Sequence, residues 1–291
     1  MQESDGSVTP SVAVITDSTC YLPSGWAAEY RIGIVPVQVI IGGQSFDETD
    51  DDQAQRVAAS LTEWHPVTTS RPSPMRFLQA YEWAIEGGAS EIVVATLSAA
   101  MSATYESALL AAKECDVQVR VVDSRTIAMG LGFAVVSGAQ AALAGASADD
   151  VVATIESRAT AAKVFFYVDT LEYLRRGGRI SAARAAVGHA LQVKPLLHVT
   201  DGHVASLEQV RTSGRALARL EDLAVAAADG GEVDVAVQHL ANPDRAADLA
   251  RRMGERLPTA TVVVCPVGGV VGAHVGPGMV AVVVAPRADP G

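Results

Sequence analysis

Val12-Ala13-Val14-Ile15-Thr16-Asp17-Ser18-Thr19 is a short apolar run closed by hydroxyls and a carboxylate. It has no polar alternation, so it suits a strand buried on both faces, as in a parallel sheet. Its polar residues fall at the strand's carboxyl end, where open α/β sheets bind ligands. Outward from it the same pattern recurs. Glu91-Ile92-Val93-Val94-Ala95-Thr96 opens onto Leu97-Ser98 and Ser102, and the run over 117–122 ends in Asp123-Ser124. Helical spacers separate these strands, among them residues 23–30 with Pro23 in the first turn, and 75–86 with Phe77, Leu78, Tyr81 and Ile85 on one side. A strand ending in polar residues, repeated with helical spacers, predicts a parallel, doubly wound sheet. Residues 32–41 read as a second strand leading into Gly42-Gly43.

Val67-Thr68-Thr69-Ser70-Arg71-Pro72-Ser73-Pro74 interrupts this order. Proline fixes its own φ and pushes the preceding residue out of the helical region, so the stretch reads as an extended or turning loop before the helix over 75–86. Hydroxyls beside a helix N-terminus suit an acidic ligand. Thr69, Ser70 and Ser73 equally suit ordinary turn and cap positions. Asp47, Glu48, Asp50, Asp51 and Asp52 fit no metal-loop spacing and read instead as the acidic start of a helix over 51–64.

Two consecutive helices, 129–144 and 147–162, break the alternation and place a domain boundary before the strand over 164–168. The second half reads as helices over 171–176 and 180–190, then strands over 191–199 and 204–210 joined at Asp201-Gly202, a hairpin signal that implies antiparallel pairing. Helices over 212–228 and 243–257 then alternate with strands over 233–238, 261–264 and 279–285. The fold class is α/β in two domains: an N-terminal three-layer α/β/α unit with a parallel sheet over 11–162, and a C-terminal unit with a mixed sheet over 163–286. Residues 1–10 read as a disordered tail.

The chain has 291 residues, 49% of them apolar, and a net charge of -11. That balance argues against a nucleic-acid partner, which needs a basic surface. Cys20, Cys115 and Cys265 are far apart with no zinc spacing, implying a reducing compartment. No run reaches the roughly 20 apolar residues of a transmembrane segment and no signal peptide opens the chain, so a cytoplasmic protein is expected. Gly130-Leu131-Gly132 lacks the third glycine of a dinucleotide loop, and no cofactor is expected.

Several motifs occur in order along nearly the whole chain: Thr16-Asp17-Ser18-Thr19; Thr68-Thr69-Ser70-Arg71-Pro72-Ser73; Leu97-Ser98 through Ser102-Ala103-Thr104-Tyr105; Val122-Asp123-Ser124; Asp169 through Ser181, with Leu171-Glu172-Tyr173-Leu174 and Gly177-Gly178-Arg179-Ile180-Ser181; Lys194-Pro195; Asp201-Gly202; Val210-Arg211-Thr212; and His274-Val275-Gly276-Pro277-Gly278. Together they resemble the DegV family, bacterial fatty-acid-binding proteins that act as the lipid-carrying subunit of fatty acid kinase. The resemblance implies one long-chain fatty acid held between two domains, and an ATP-dependent fatty acid kinase subunit as partner. It also implies carboxylate-binding hydroxyls at Thr69 and Ser70 and at Ser98 or Ser102. Arg211 and His274, with Gly276 and Gly278, would lie at the mouth where the head group meets the kinase. Arg211 offers a bidentate fork there, and a histidine near its ordinary pKa carries part of a charge. Arg179 faces the cleft, or else its Gly177-Gly178 neighbours are only a helix stop. Three positions depart from the family's pattern: Arg71 stands for the usual Gln, Ala99 for a second Ser and Ala103 for Gly. Arg71 adds a positive charge near the head group or points to solvent.

The expected role is a non-catalytic carrier that presents a fatty carboxylate to the kinase for acyl phosphate formation. The alternative is a serine hydrolase acting on acyl esters, with Ser98 or Ser102, His274, and Asp17 or Asp123 as a triad, although no Gly-x-Ser-x-Gly elbow is present. A nucleotide- or sugar-phosphate-binding regulatory domain ranks behind both.

Overall fold

β1 (Val12–Asp17) pairs in parallel with β2 (Ile32–Val35) on one side and with β6 (Glu91–Thr96) on the other. A single 3-10 turn (Ser18–Cys20) and α1 (Trp26–Glu29) lie between β1 and β2. The structure is a computed structural model that describes residues 11–48, 53–63, 65–180 and 193–287. Expectations for the tail over 1–10, for Asp50, Asp51, Asp52 and Trp64, and for Ser181 with the helix over 181–190 and the strand start at 191–192 fall outside the described residues.

The strand expected over 32–41 is broken at Pro36. Proline cannot donate to the ladder, and the next amide, Val37 N–H, goes to Ser18 Oγ at 3.0 Å instead. The chain then leaves the first sheet. β3 (Gln38–Ile41) forms a separate antiparallel sheet with β4 (Gln44–Asp47) and, after α2 (Gln53–Thr62), with β5 (Val67–Ser70). The loop expected at 67–74 is therefore half strand: Val67, Thr68 and Thr69 are β-branched and favour the pleat, and pairing stops before Pro72.

α3 (Pro74–Glu86), α4 (Thr104–Ala112), β7 (Gln118–Asp123), α5 (Met129–Leu143) and α6 (Ala148–Ala161) complete the N-terminal half, whose parallel sheet runs β2-β1-β6-β7. Alternation sorts its two faces. Ile15, Ile92 and Val94 pack with Phe77, Tyr81 and Ala108 of α3 and α4. Val14, Val93 and Ala95 share the opposite cluster with Met129, Leu131 and Ile155 of α5 and α6. This is the three-layer α/β/α arrangement.

The second half contains β8 (Lys163–Tyr167), α7 (Glu172–Arg176), β9 (Lys194–Thr200), β10 (His203–Val210), α8 (Ser213–Ala228), β11 (Val233–His239), α9 (Pro243–Arg256), β12 (Thr261–Pro266), α10 (Gly269–Val275) and β13 (Val280–Pro286). Its mixed sheet runs β10-β9-β8-β13-β11-β12, with β11 and β12 parallel and the other pairs antiparallel. Asp201 and Gly202 turn the β9–β10 hairpin with φ of 50° and 76°, the positive pair that matches strand twist. α8 and α9 cover one face through Leu220 and Leu249 against Val235 and Val282. The other face, with Phe166, Ala236, Ala281 and Val283, joins the cluster of α5 and α6.

α5 and α6 are thus one helical layer shared by both large sheets. We propose the division between residues 162 and 163 as a division of sheets, the two cores being continuous through that layer. Among the described residues, no helix is long and apolar enough to cross a membrane.

Candidate functional site

A cavity of about 850 Å³, its open mouth included, lies between the halves and is walled by Leu97, Ile127, Phe166, Val199, Val271 and Met279 among others. Its polar lining comes from Thr69, Ser70, Arg71, Ser102, Arg179 and His274, with Gln238 apart from them.

Each of these side chains is placed by a specific element. Thr69 is carried by β5, opposite Val39 of β3. Its Oγ1 meets His274 Nε2 at 3.0 Å. His274 sits in the last turn of α10, a helix absent from the sequence-based expectation. Two glycines make Gly269–Val275 a poor helix former, yet they let it pack closely: a Cβ on Gly269 would meet Val57 and Val39, and one on Gly272 would meet Leu240. Two remote side chains satisfy its first amides. Val270 N–H donates to Glu48 Oε1 at 2.7 Å and Val271 N–H to the Tyr21 hydroxyl oxygen at 3.1 Å. Tyr21 and Ser18 also donate to Glu48, at 3.0 and 2.7 Å. Glu48 therefore clasps α10 to the end of β1 rather than opening an acidic helix start, and burial pushes its pKa up to about 7.

His274 is not the partly charged group expected at the mouth. Burial first, and the Arg179 guanidinium second, push its pKa down to about 4, so the ring is neutral at physiological pH. Its Nδ1 is buried and has no hydrogen-bond partner among the described residues. That nitrogen packs over Gly177, where any Cβ would collide with it. Arg179 comes from the loop after α7 and donates from Nε to Met101 O at 3.0 Å and from Nη1 to Gly177 O at 2.5 Å. Burial lowers its pKa without discharging it.

Thr69, Arg179 and His274 also line a second, outer cleft, with His65, Tyr173 and Arg176. They form the wall between the two cavities. Ser102 lines the inner cavity with its Oγ 2.8 Å from Thr104 Oγ1. Ser98 does not line it. Ser98 is fully buried, donates to Gly202 O at 2.7 Å and accepts from Ala100 N–H at 3.2 Å, fastening the β9–β10 hairpin to the loop after β6. Arg71 is exposed at the mouth, and the lining does not extend to Ser73 or the first turn of α3. Arg211 is exposed beyond β10 and lines neither space. Gly276 packs on the Tyr173 ring and Gly278 on the Asp169 carboxylate.

The triad pairings of the hydrolase alternative do not form. His274 Nε2 meets a threonine and its Nδ1 meets no carboxylate. Asp17 accepts from Thr19 N–H, Thr19 Oγ1 and Leu97 N–H, and Asp123 from Ala99 and Arg125 N–H.

A family model described as "uncharacterised protein, DegV family" matches residues 11–287. The chain belongs to the DegV family. A DegV domain-containing protein of Streptomyces coelicolor is 48% identical over 95% of this chain and 99% of its own. Among solved DegV structures, the Thermus thermophilus protein, described by its fatty acid binding, superposes with a TM-score of 0.88 at 29% identity, covering 95% of this chain and 99% of that one. DegV of Bacillus subtilis, described as a fatty acid binding protein, gives 0.86 at 27% identity, with coverage of 95% and 99%.

Proposed function

We propose that this DegV protein holds one long-chain fatty acid in the inner cavity, its carboxylate against Thr69 and Arg179 with Ser70 and Ser102 close by, and presents that carboxylate to an ATP-dependent kinase for acyl phosphate formation. The observation that carries the reading is the shared wall. An apolar-walled space carries a hydroxyl, a neutral imidazole and a guanidinium that also border an outer cleft. A fatty acid fits that lining, since about a dozen buried methylenes contribute roughly 10 kcal/mol before association costs. Its charge meets the Arg179 guanidinium, which supplies the strong charge-assisted contact. Mass spectrometry of the organic extract of the denatured protein is the direct test. A straight-chain fatty acid in stoichiometric amount is the expected result, and a polar metabolite in its place would overturn the proposal.

Thr69→Val keeps the shape of the β5 side chain and removes its hydroxyl. Fatty acid affinity is expected to fall by about 1–3 kcal/mol, the cost of leaving a buried acceptor unmet. Titration of the delipidated variant reads it, and unchanged affinity would count against Thr69 as a carboxylate donor.

The kinase role is supported by the outer cleft and by an exposed cation, Arg211, in the C-terminal half. Val210 pairs with Lys194, whose amine meets Asp169 at 2.5 Å, and Asp169 packs on Gly278. Arg211 follows Val210, exposed. Arg211→Ala is expected to leave lipid loading intact and to reduce ATP-dependent acyl phosphate formation with the partner kinase severalfold. Loss of loading would instead place Arg211 in lipid binding.

A further inference from the structure

Gln238 stands apart from the other polar residues of the inner cavity. It lies on β11, between Cys265 of β12 and Ala281 of β13, is fully buried, and makes no hydrogen bond to the head-group residues. Its neighbours in the cavity wall, Phe166, Val267, Met279 and Ala281, are apolar. Polar side chains in such walls fix orientation and specificity.

One half of its amide has a structural task. Oε1 accepts from Met129 N–H at 3.0 Å and so caps the first amide of α5 from another element. That bond sets the amide's orientation, because a flip would turn two donors against each other. The other half is left over. Nε2 carries two N–H groups, and its one contact among the described residues is the Cys265 sulfur at 3.5 Å, a weak acceptor. A cap needs only the oxygen, so the amine has no structural task that accounts for it.

We infer that Gln238 is a specificity-determining residue, favouring an acyl chain that carries a hydrogen-bond acceptor along its length over a fully saturated one. The inference rests on the proposed lipid-binding reading. Two chemistries present such an acceptor to a dry N–H: an oxygen substituent, which makes an ordinary hydrogen bond, and a double bond, whose π face makes a weaker one. A saturated chain passes the amine without engaging it.

Binding of three C18 probes to the delipidated protein tests this: stearate, oleate and 12-hydroxystearate. Wild type is expected to bind oleate about two- to threefold, and the hydroxylated acid up to about tenfold, more tightly than stearate. A preference for only one of the two identifies which acceptor the amine reads. Gln238→Met, equal in length and lacking both polar atoms, is expected to bring the three affinities together. Equal affinities in wild type, or wild-type ratios retained in the variant, overturn the inference while leaving lipid binding standing. Failure to bind any of the three overturns both. Since Gln238→Met also removes the α5 cap, a wild-type measurement runs beside it: the Gln238 side-chain amide proton resonances should move on binding the favoured probe and stay in place with stearate. No difference between those two spectra overturns the inference whether or not the variant folds.

Discussion

Gly276→Ala is expected to lower stability by about 2–6 kcal/mol and to abolish lipid retention. Two separate costs add. Gly276 ends α10 with φ of 76° and ψ of 168°, a conformation that side chains avoid and that costs about 1–3 kcal/mol when forced. A Cβ there would also enter the Tyr173 ring, well inside van der Waals contact with Cδ2 and Cε2. Overpacking of that kind costs about another 1–3 kcal/mol. Relief by displacement is blocked on the useful side: Tyr173 stands in the first turn of α7, whose chain runs on into Gly177 and Arg179, and it lines the outer cleft. Moving it moves the guanidinium and the floor beneath His274. A fall in Tm on the order of 10 °C is the readout. Gly214→Ala in α8 is the control, because nothing stands within 4 Å of a Cβ there. Tyr173→Ala introduced alongside Gly276→Ala separates the costs, recovering the overpacking part and leaving the backbone part. A Gly276→Ala protein with unchanged melting would mean that this turn carries no strain and does not hold the site.

The parts of the fold that the sequence made legible are those where local chemistry and packing agree. The cores of β1 and β6 are continuous apolar runs because each strand is covered on both faces, and the Asp201-Gly202 turn has the residues its positive φ values demand. The errors fall where a remote partner overrides local preference. Pro36 diverts a strand that its apolar flanks would otherwise continue, since Ser18 takes the next amide. α10 is invisible in Gly268-Gly269-Val270-Val271-Gly272 because its helical form depends on Glu48 and Tyr21, more than 200 residues away. Its invisibility hides the burial that takes from His274 the partial charge expected of it at the mouth. Ser98 looked interchangeable with Ser102 by spacing, yet the hairpin carbonyl of Gly202 reaches one and the cavity the other. Arg179 could be placed only ambiguously because the groups that orient it, Met101 O and Gly177 O, are backbone and leave no side-chain signature.

Glu48 leads to a pH-dependence whose sign is set by burial. Its carboxyl ordinarily titrates at 4.5 and in the folded protein is pushed up to about 7. A folded pKa above the unfolded one means stability that is complete below about 4.5 and is lost as pH rises to about 7. The loss is about 3 kcal/mol. Asp17, raised by burial through the same enclosed corner, acts in the same direction. His274 acts oppositely: lowered from 6.5 to about 4, it removes stability as pH falls through that window. Wild type alone therefore shows a flattened profile, and the informative quantity is a difference. Glu48→Gln keeps the shape and removes the titration. Its stability relative to wild type is expected to improve by about 3 kcal/mol between pH 4.5 and pH 8, measured by urea unfolding at each pH. Any hydrogen bond the amide makes poorly to Ser18, Tyr21 or Val270 is common to both pH values and cancels. A relative stability that does not change with pH would mean that the carboxylate is hydrated rather than enclosed. Lipid retention measured on the same samples joins this corner to the site: Glu48 holds the first turn of α10 and His274 stands in its last, so a loosened clasp at high pH should release lipid from wild type before it does so from Glu48→Gln.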